Sequence, residues 1–141
     1  MYEKKNLTYI LTALEAIEKC FIYTDGIESS DEFLDRNNQM NFNACQILLL
    51  VIGEESKKIE ENLKHEYTDI PWRLISSLRN RIAHDYRSID PYISFDIIKN
   101  YLPELKEVLI DMTRKVPFER QLLEKALNTS YYKNIRYLLE P

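Results

Sequence analysis

A chain of 141 residues, 45% of them hydrophobic, has material for one domain with one core. Its 19 Lys and Arg against 23 Asp and Glu give a formal net charge of −4, which excludes a uniformly basic nucleic-acid coat. The total hides an asymmetry, because residues 1–70 hold 7 basic and 14 acidic side chains and residues 71–141 hold 12 and 9. An anionic partner is therefore expected on the C-terminal half. Two Gly and five Pro leave little for the tight turns of a sandwich or barrel, and no Gly-rich phosphate loop exists. Cys20 and Cys45 lie in apolar runs without CxxC spacing and read as core thiols of a reducing compartment. No stretch approaches the ~20 apolar residues of a membrane span, and the N-terminus lacks a signal peptide's apolar block, so a cytoplasmic location is expected. His65 and His84 are the only histidines, and no clustered ligands accompany them, so neither a metal nor a cofactor is expected.

In chain order, Leu7, Ile10, Leu11, Leu14, Ile17 and Phe21 recur at helical steps, and Gly26 is placed to end that helix in the left-handed conformation. Ser29 or Ser30 should cap a short helix, with Glu32 as capping-box partner. Residues 38–64 hold no strong breaker except Gly53, which predicts one long helix. A glycine there costs a helix about 1 kcal/mol relative to alanine, so close approach by another helix, within the bundle or across a dimer, is its expected benefit. Thr68, Asp69 and Pro71 signal the start of a helix over residues 71–84, and Asp90-Pro91 signals another. Pro103 should interrupt the second of these, which resumes through Leu105 and Met112. Pro117 should begin a last helix through Leu138. No segment alternates at period two. The reading is an all-α, up-and-down bundle of four to five main helices in a single domain, with residues 117–141 as an additional helix on the bundle or on a partner.

The segment from Pro71 to Asp90 carries the chemistry. Arg73, Arg79, Arg81 and Arg87 surround His84. On a helix Asn80 and His84 share a face, whereas Arg79 and His84 lie about 140° apart around the axis. One helix is poorly placed to close both on one atom, and a second copy presented by a symmetric partner solves this. Such a cleft suits phosphodiester cleavage in RNA. An imidazole takes the proton of the 2′-hydroxyl or gives one to the leaving 5′-oxygen, and a guanidinium meets the charge growing on the phosphoryl oxygens. Asn80 is suited to orienting the imidazole or bonding the phosphate, and Arg81 to supporting it.

The run Arg79-Asn80-Arg81-Ile82-Ala83-His84-Asp85-Tyr86 resembles the Arg-x4-His-x-Tyr motif of HepT-like toxins in the HEPN superfamily. Ile52-Gly53-Glu54, Ile70-Pro71-Trp72, Ile89-Asp90 and Leu102-Pro103 match the family's flanks in the same order. The resemblance covers residues 5–115 and implies a helical bundle whose homodimer builds one composite cleft. The implied activity is metal-independent endoribonuclease action, leaving a 2′,3′-cyclic phosphate and a 5′-hydroxyl, with Arg79 and His84 as the catalytic pair. It further implies a toxin–antitoxin system in which a minimal nucleotidyltransferase antitoxin, alone or in a larger complex, places AMP on Tyr86. A bulky anionic group there would occupy the cleft and pair with Arg79 or its neighbours.

Other readings stand beside these. A non-catalytic HEPN module that binds nucleotide or RNA as a partner platform is the alternative function, and a plain helical scaffold a third. Glu54 and Glu55 point about 100° apart, which disfavours an acid–base pair, and Glu54 is a candidate brace for an arginine of the motif helix. Trp72 reads as a core anchor more than an RNA-stacking platform, and His65 as a solvated cap. Tyr131 and Tyr132 read as tail packing more than a base-stacking patch.

Overall fold

The computed structural model describes residues 2–140, and every regular element among them is helical. Helix α1 (Lys5–Tyr23) buries Ile10, Leu14 and Ile17 completely, as their helical spacing requires. It ends where the sequence expects. The Thr24 N–H and hydroxyl both donate to the Cys20 carbonyl, at 3.1 and 2.8 Å, and Gly26 takes the left-handed conformation at φ 77°. Ser29 caps α2 (Ser30–Asp35), its Oγ accepting from the Glu32 N–H at 3.1 Å. The Glu32 carboxylate reaches back to the Glu28 N–H at 3.3 Å, one residue before the cap.

The chain enters α3 (Met40–Lys58) through three successive left-handed residues, Asn37, Asn38 and Gln39, at φ 53°, 56° and 70°. Asparagine tolerates this geometry through local side-chain bonds, here Asn37 Nδ2 donating to Asn41 Oδ1 at 2.8 Å. Helix α1 packs most extensively on α3, and the two thiols, Cys20 and Cys45, are both free and buried. Burial, reinforced by its contact with Cys45, pushes the Cys20 thiol well above its usual value, which keeps it unreactive.

Residues 38–64 do not form one helix. Helix α3 stops at Lys58, Ile59 is extended, and α4 (Glu61–Lys64) is a separate turn. No glycine or proline marks the break, which a contact from far along the chain imposes. Asn6, buried on α1, accepts the Glu60 N–H at 2.9 Å and donates to Glu60 Oε1 at 3.2 Å, while Ile59 and Leu63 sink into the core. The Lys64 ammonium then satisfies an end carbonyl of α3, that of Ser56, at 3.1 Å.

Helix α5 (Trp72–His84) follows within one residue of the expected bounds, buries Ile75, Leu78 and Ile82, and lies against α3. Pro71 opens it, but Thr68 and Asp69 stay exposed and no side chain caps it. After a 3-10 turn (Tyr86–Ser88), α6 (Pro91–Asp96) begins as expected, with Asp90 Oδ1 accepting the Tyr92 N–H at 2.9 Å. The interruption expected from Pro103 takes a specific form. Residues Ile97–Tyr101 form a π-helical stretch, and α7 (Leu102–Thr113) resumes with Pro103 in its first turn, where the missing N–H does no harm.

The tail is not one helix. Helix α8 (Arg120–Leu127) ends at a polar stretch, Asn128 to Ser130, and a 3-10 segment (Lys133–Leu139) follows. Arg136 returns to the end of α8, donating to the Leu127 carbonyl at 2.8 Å and to Asn128 at 3.3 Å, so that no continuing helix is needed to satisfy them. The segment lies on α1 through polar contacts at helical spacing. Tyr132 meets Thr12 at 3.0 Å, the Asn134 N–H donates to buried Glu15 at 2.9 Å, and the Tyr137 hydroxyl donates to Glu18 at 2.5 Å. Burial raises the Tyr137 phenol far above its usual range, with the Glu18 carboxylate adding to the effect, so it stays a donor at any physiological pH. Tyr137→Phe is expected to lower unfolding free energy by about 1–2 kcal/mol, because Glu18 loses a charge-assisted bond; urea titration checks this. No helix among the described residues is long and apolar enough to cross a membrane.

Candidate active site on helix α5

With Ile75, Leu78 and Ile82 turned inward, helical geometry turns Arg73, Ser77, Asn80 and His84 outward, Arg79 to one flank and Arg81 to the other. Arg79 meets α3. Its Nε donates to the Glu54 carboxylate, and Nη1 donates to Asn80 Oδ1 at 3.0 Å. The brace expected of Glu54 is therefore present. Both side chains are partly exposed, so the pair orients the guanidinium more than it stabilises the fold.

Gly53 makes this approach feasible. A Cβ built there would stand 2.5 Å from Arg79 Cβ and 3.4 Å from the Ile75 carbonyl oxygen. The close approach expected at Gly53 is thus a contact within one chain, between α3 and the helix carrying the motif.

His84 stands exposed in the last turn of α5, without a hydrogen bond or ion pair among the described residues. Asn80 and Arg81, four and three residues earlier, lie on its side of the helix. Arg79 lies about 140° away around the axis, on the α3 flank. One chain therefore brings Asn80, Arg81 and His84 to one face and leaves Arg79 beside Glu54.

Tyr86 follows in the 3-10 turn, 41% exposed, and its hydroxyl donates to Asn43 Oδ1 at 2.5 Å. Partial burial raises its phenol above the usual value of 10, so the group is protonated at neutral pH. Asn43 escapes sequence reading. Its only signal is position: it precedes Glu54 by 11 residues, three turns of α3, which puts both on one face. Helix α3 thus holds both ends of the motif.

The flanks of α5 differ. Toward α6, Leu74, Arg81 and Ile93 line a shallow cleft of about 110 Å³, with Leu74 and Ile93 more than a third exposed. Toward α3 and α4, Trp72, Arg73 and Asn80 border a larger groove of about 450 Å³. Trp72 donates its indole N–H to the Tyr67 carbonyl at 3.2 Å, an anchoring contact, and also lines the groove. Among the described residues no group of three or more His, Cys, Asp or Glu is arranged to hold a metal.

The sequence profile of the family described as "Ribonuclease HepT-like" matches residues 13–112, which include α3, α5 and the whole motif. A Thermococcus cleftensis protein named "Probable ribonuclease HepT" is 30% identical over 104 residues, covering 74% of this chain and 92% of that protein. A Methanocaldococcus jannaschii protein whose name describes an RNase is 30% identical over 108 residues, covering 67% and 88%. No solved structure matches at comparable stringency. The matched span takes in positions 53, 54, 79, 84 and 86 and most of the chain, and on it the chain belongs to the HepT-like family of ribonucleases.

Proposed function

We propose that this ribonuclease is the toxin of a toxin–antitoxin pair and cuts RNA without a metal at a composite cleft formed by two copies of the chain. The observation that carries this is the division of labour on α5: His84 is open to a substrate, while Arg79 leaves the helix about 140° away and is held by Glu54 and Asn80. In the cleft, His84 takes the proton of the 2′-hydroxyl. The resulting oxygen attacks phosphorus, the bond to the 5′-oxygen breaks, that oxygen takes the proton back from the imidazolium, and a 2′,3′-cyclic phosphate remains. Arg79 of the other copy offers its fork to the phosphoryl oxygens as they gain charge, with Asn80 and Arg81 as further donors. The exposed Leu74 and Ile93 beside α5 supply apolar surface for the contact between copies.

Mixing tests the composite site. R79A and H84A are each expected to be inactive. Unfolded and refolded together, they should regain about a quarter of wild-type cleavage, since half the dimers are mixed and each of those holds one intact site. Absence of any recovery, with mixed dimers confirmed by mass spectrometry, would place both residues in one chain.

The switch is AMP transfer to Tyr86. A cognate nucleotidyltransferase holding ATP and Mg²⁺ directs the phenol oxygen at the α-phosphorus; pyrophosphate leaves, and the phenol proton passes to a base of that enzyme. A base is needed because the Tyr86 phenol is protonated at neutral pH. The hydroxyl must also leave Asn43, and the added phosphate then faces the arginines of α5. Incubation with the cognate transferase and ATP should add the mass of AMP to the wild-type chain and none to Y86F, while Y86F keeps RNA cleavage. Modification of Y86F at another tyrosine would overturn the assignment.

A further inference from the structure

The groove between α5 and the α3–α4 turn is not needed for the catalytic pair, yet its chemistry is specific. Its lining residues include Lys57, Lys64 and Arg73 as cations and Glu61 as the one carboxylate. Lys64 and Glu61 pair at 3.0 Å, and the Lys64 ammonium also holds the Ser56 carbonyl, so these two belong to the wall. Lys57 and Arg73 are exposed and have no carboxylate partner among the described residues, which leaves two uncompensated charges at the groove. The Asn80 oxygen is taken by Arg79, a group that only donates, so its amide N–H₂ remains open to an acceptor. All of these offer charge or donors; what fits is an anion with acceptor oxygens.

The groove also has a direction. Arg73, Ser77, Asn80 and His84 follow at steps of four, three and four residues, one line along the outer face of α5. From Arg73 to His84 this line rises about 16 Å, enough for more than one phosphate of a single backbone. The opposite flank sets exposed Leu74 and Ile93 beside Arg81 and suits a protein surface instead.

We infer that this groove is a subsite for single-stranded RNA flanking the scissile bond, gripping its phosphates through Lys57 and Arg73 and leading the strand along Ser77 and Asn80 to His84. This rests on RNA being the substrate of the α5 site. Phosphate contacts of this kind set position and affinity without reading sequence, so the subsite favours longer strands over short ones.

The test is the doubly substituted K57A/R73A chain, with fluorescein-labelled single-stranded oligoribonucleotides of two and twelve nucleotides as probes. Wild-type KM should fall by tenfold or more from the short to the long strand, and the variant should lose that gain while the kcat of the long strand changes less than twofold. In direct binding with H84A as background, the slope of log affinity against log salt should flatten by about 1.4, the share of two phosphate contacts on a single strand. An unchanged slope overturns the subsite, whether or not the wild type cleaves. If the slope flattens but the wild-type chain cuts no RNA in EDTA, the groove binds RNA and the catalytic reading is the one that fails. An equal KM loss on both lengths also overturns the proposal, since it marks a general defect.

Discussion

His84→Ala is expected to lower RNA cleavage by about 10²–10⁴-fold, the range for losing a general acid–base group. The imidazole is exposed at the end of α5 and bonds to no other described group, so its removal should leave packing and helicity intact. Stability should stay within about 0.5 kcal/mol of wild type, as for surface substitutions away from special features. Cleavage of a fluorogenic oligoribonucleotide in EDTA, followed beside circular dichroism and sedimentation, separates these effects. Activity within threefold of wild type would remove His84 from the mechanism.

Gly53→Ala has the second largest expected effect, and its sign opposes simple helix propensity. In an open helix the change gains about 1 kcal/mol. Here the added methyl meets Arg79 Cβ at 2.5 Å, and a Cβ sits too close to the backbone to swing aside. Helix α5 has to move, and overpacking of this kind costs about 1–3 kcal/mol. The net expectation is a melting temperature that falls or holds, with cleavage reduced by about 10²-fold, because a shift near 1 Å misplaces the guanidinium. Glu54→Gln is the companion variant. It keeps the space and removes the charge that orients Arg79, so activity should fall while the melting temperature stays. A stabilised, fully active G53A would mean that the close approach does not set the site.

Much of this architecture was legible because its causes are local. Gly26, Ser29, Asp90-Pro91 and Pro103 act on the backbone within a few residues of themselves, and each sits where its chemistry predicts. The motif helix was legible for the same reason, its inner face recurring at helical steps. Gly53 was readable in part: its cost announces a close approach but does not name the neighbour, which is Arg79. The break after Lys58 was not legible, because Asn6 imposes it from 54 residues away along the chain. The bond from Tyr86 to Asn43 joins residues 43 apart, and no local pattern in α3 announces it. The break in the tail has a similar origin, since Arg136 satisfies the end of α8 only after the chain has turned back.

That α3 anchors Arg79 through Glu54 and Tyr86 through Asn43 makes the length of the intervening segment a constraint in its own right. Apart from Gly53, residues there are free to change identity as long as the helix keeps its buried line. Inserting or deleting one residue would rotate one anchor by about 100° relative to the other, and no side-chain adjustment spans that arc. Natural and engineered variation between positions 43 and 54 should therefore consist of substitutions alone. Across the family, the count between these two anchors should be fixed more tightly than the residues themselves.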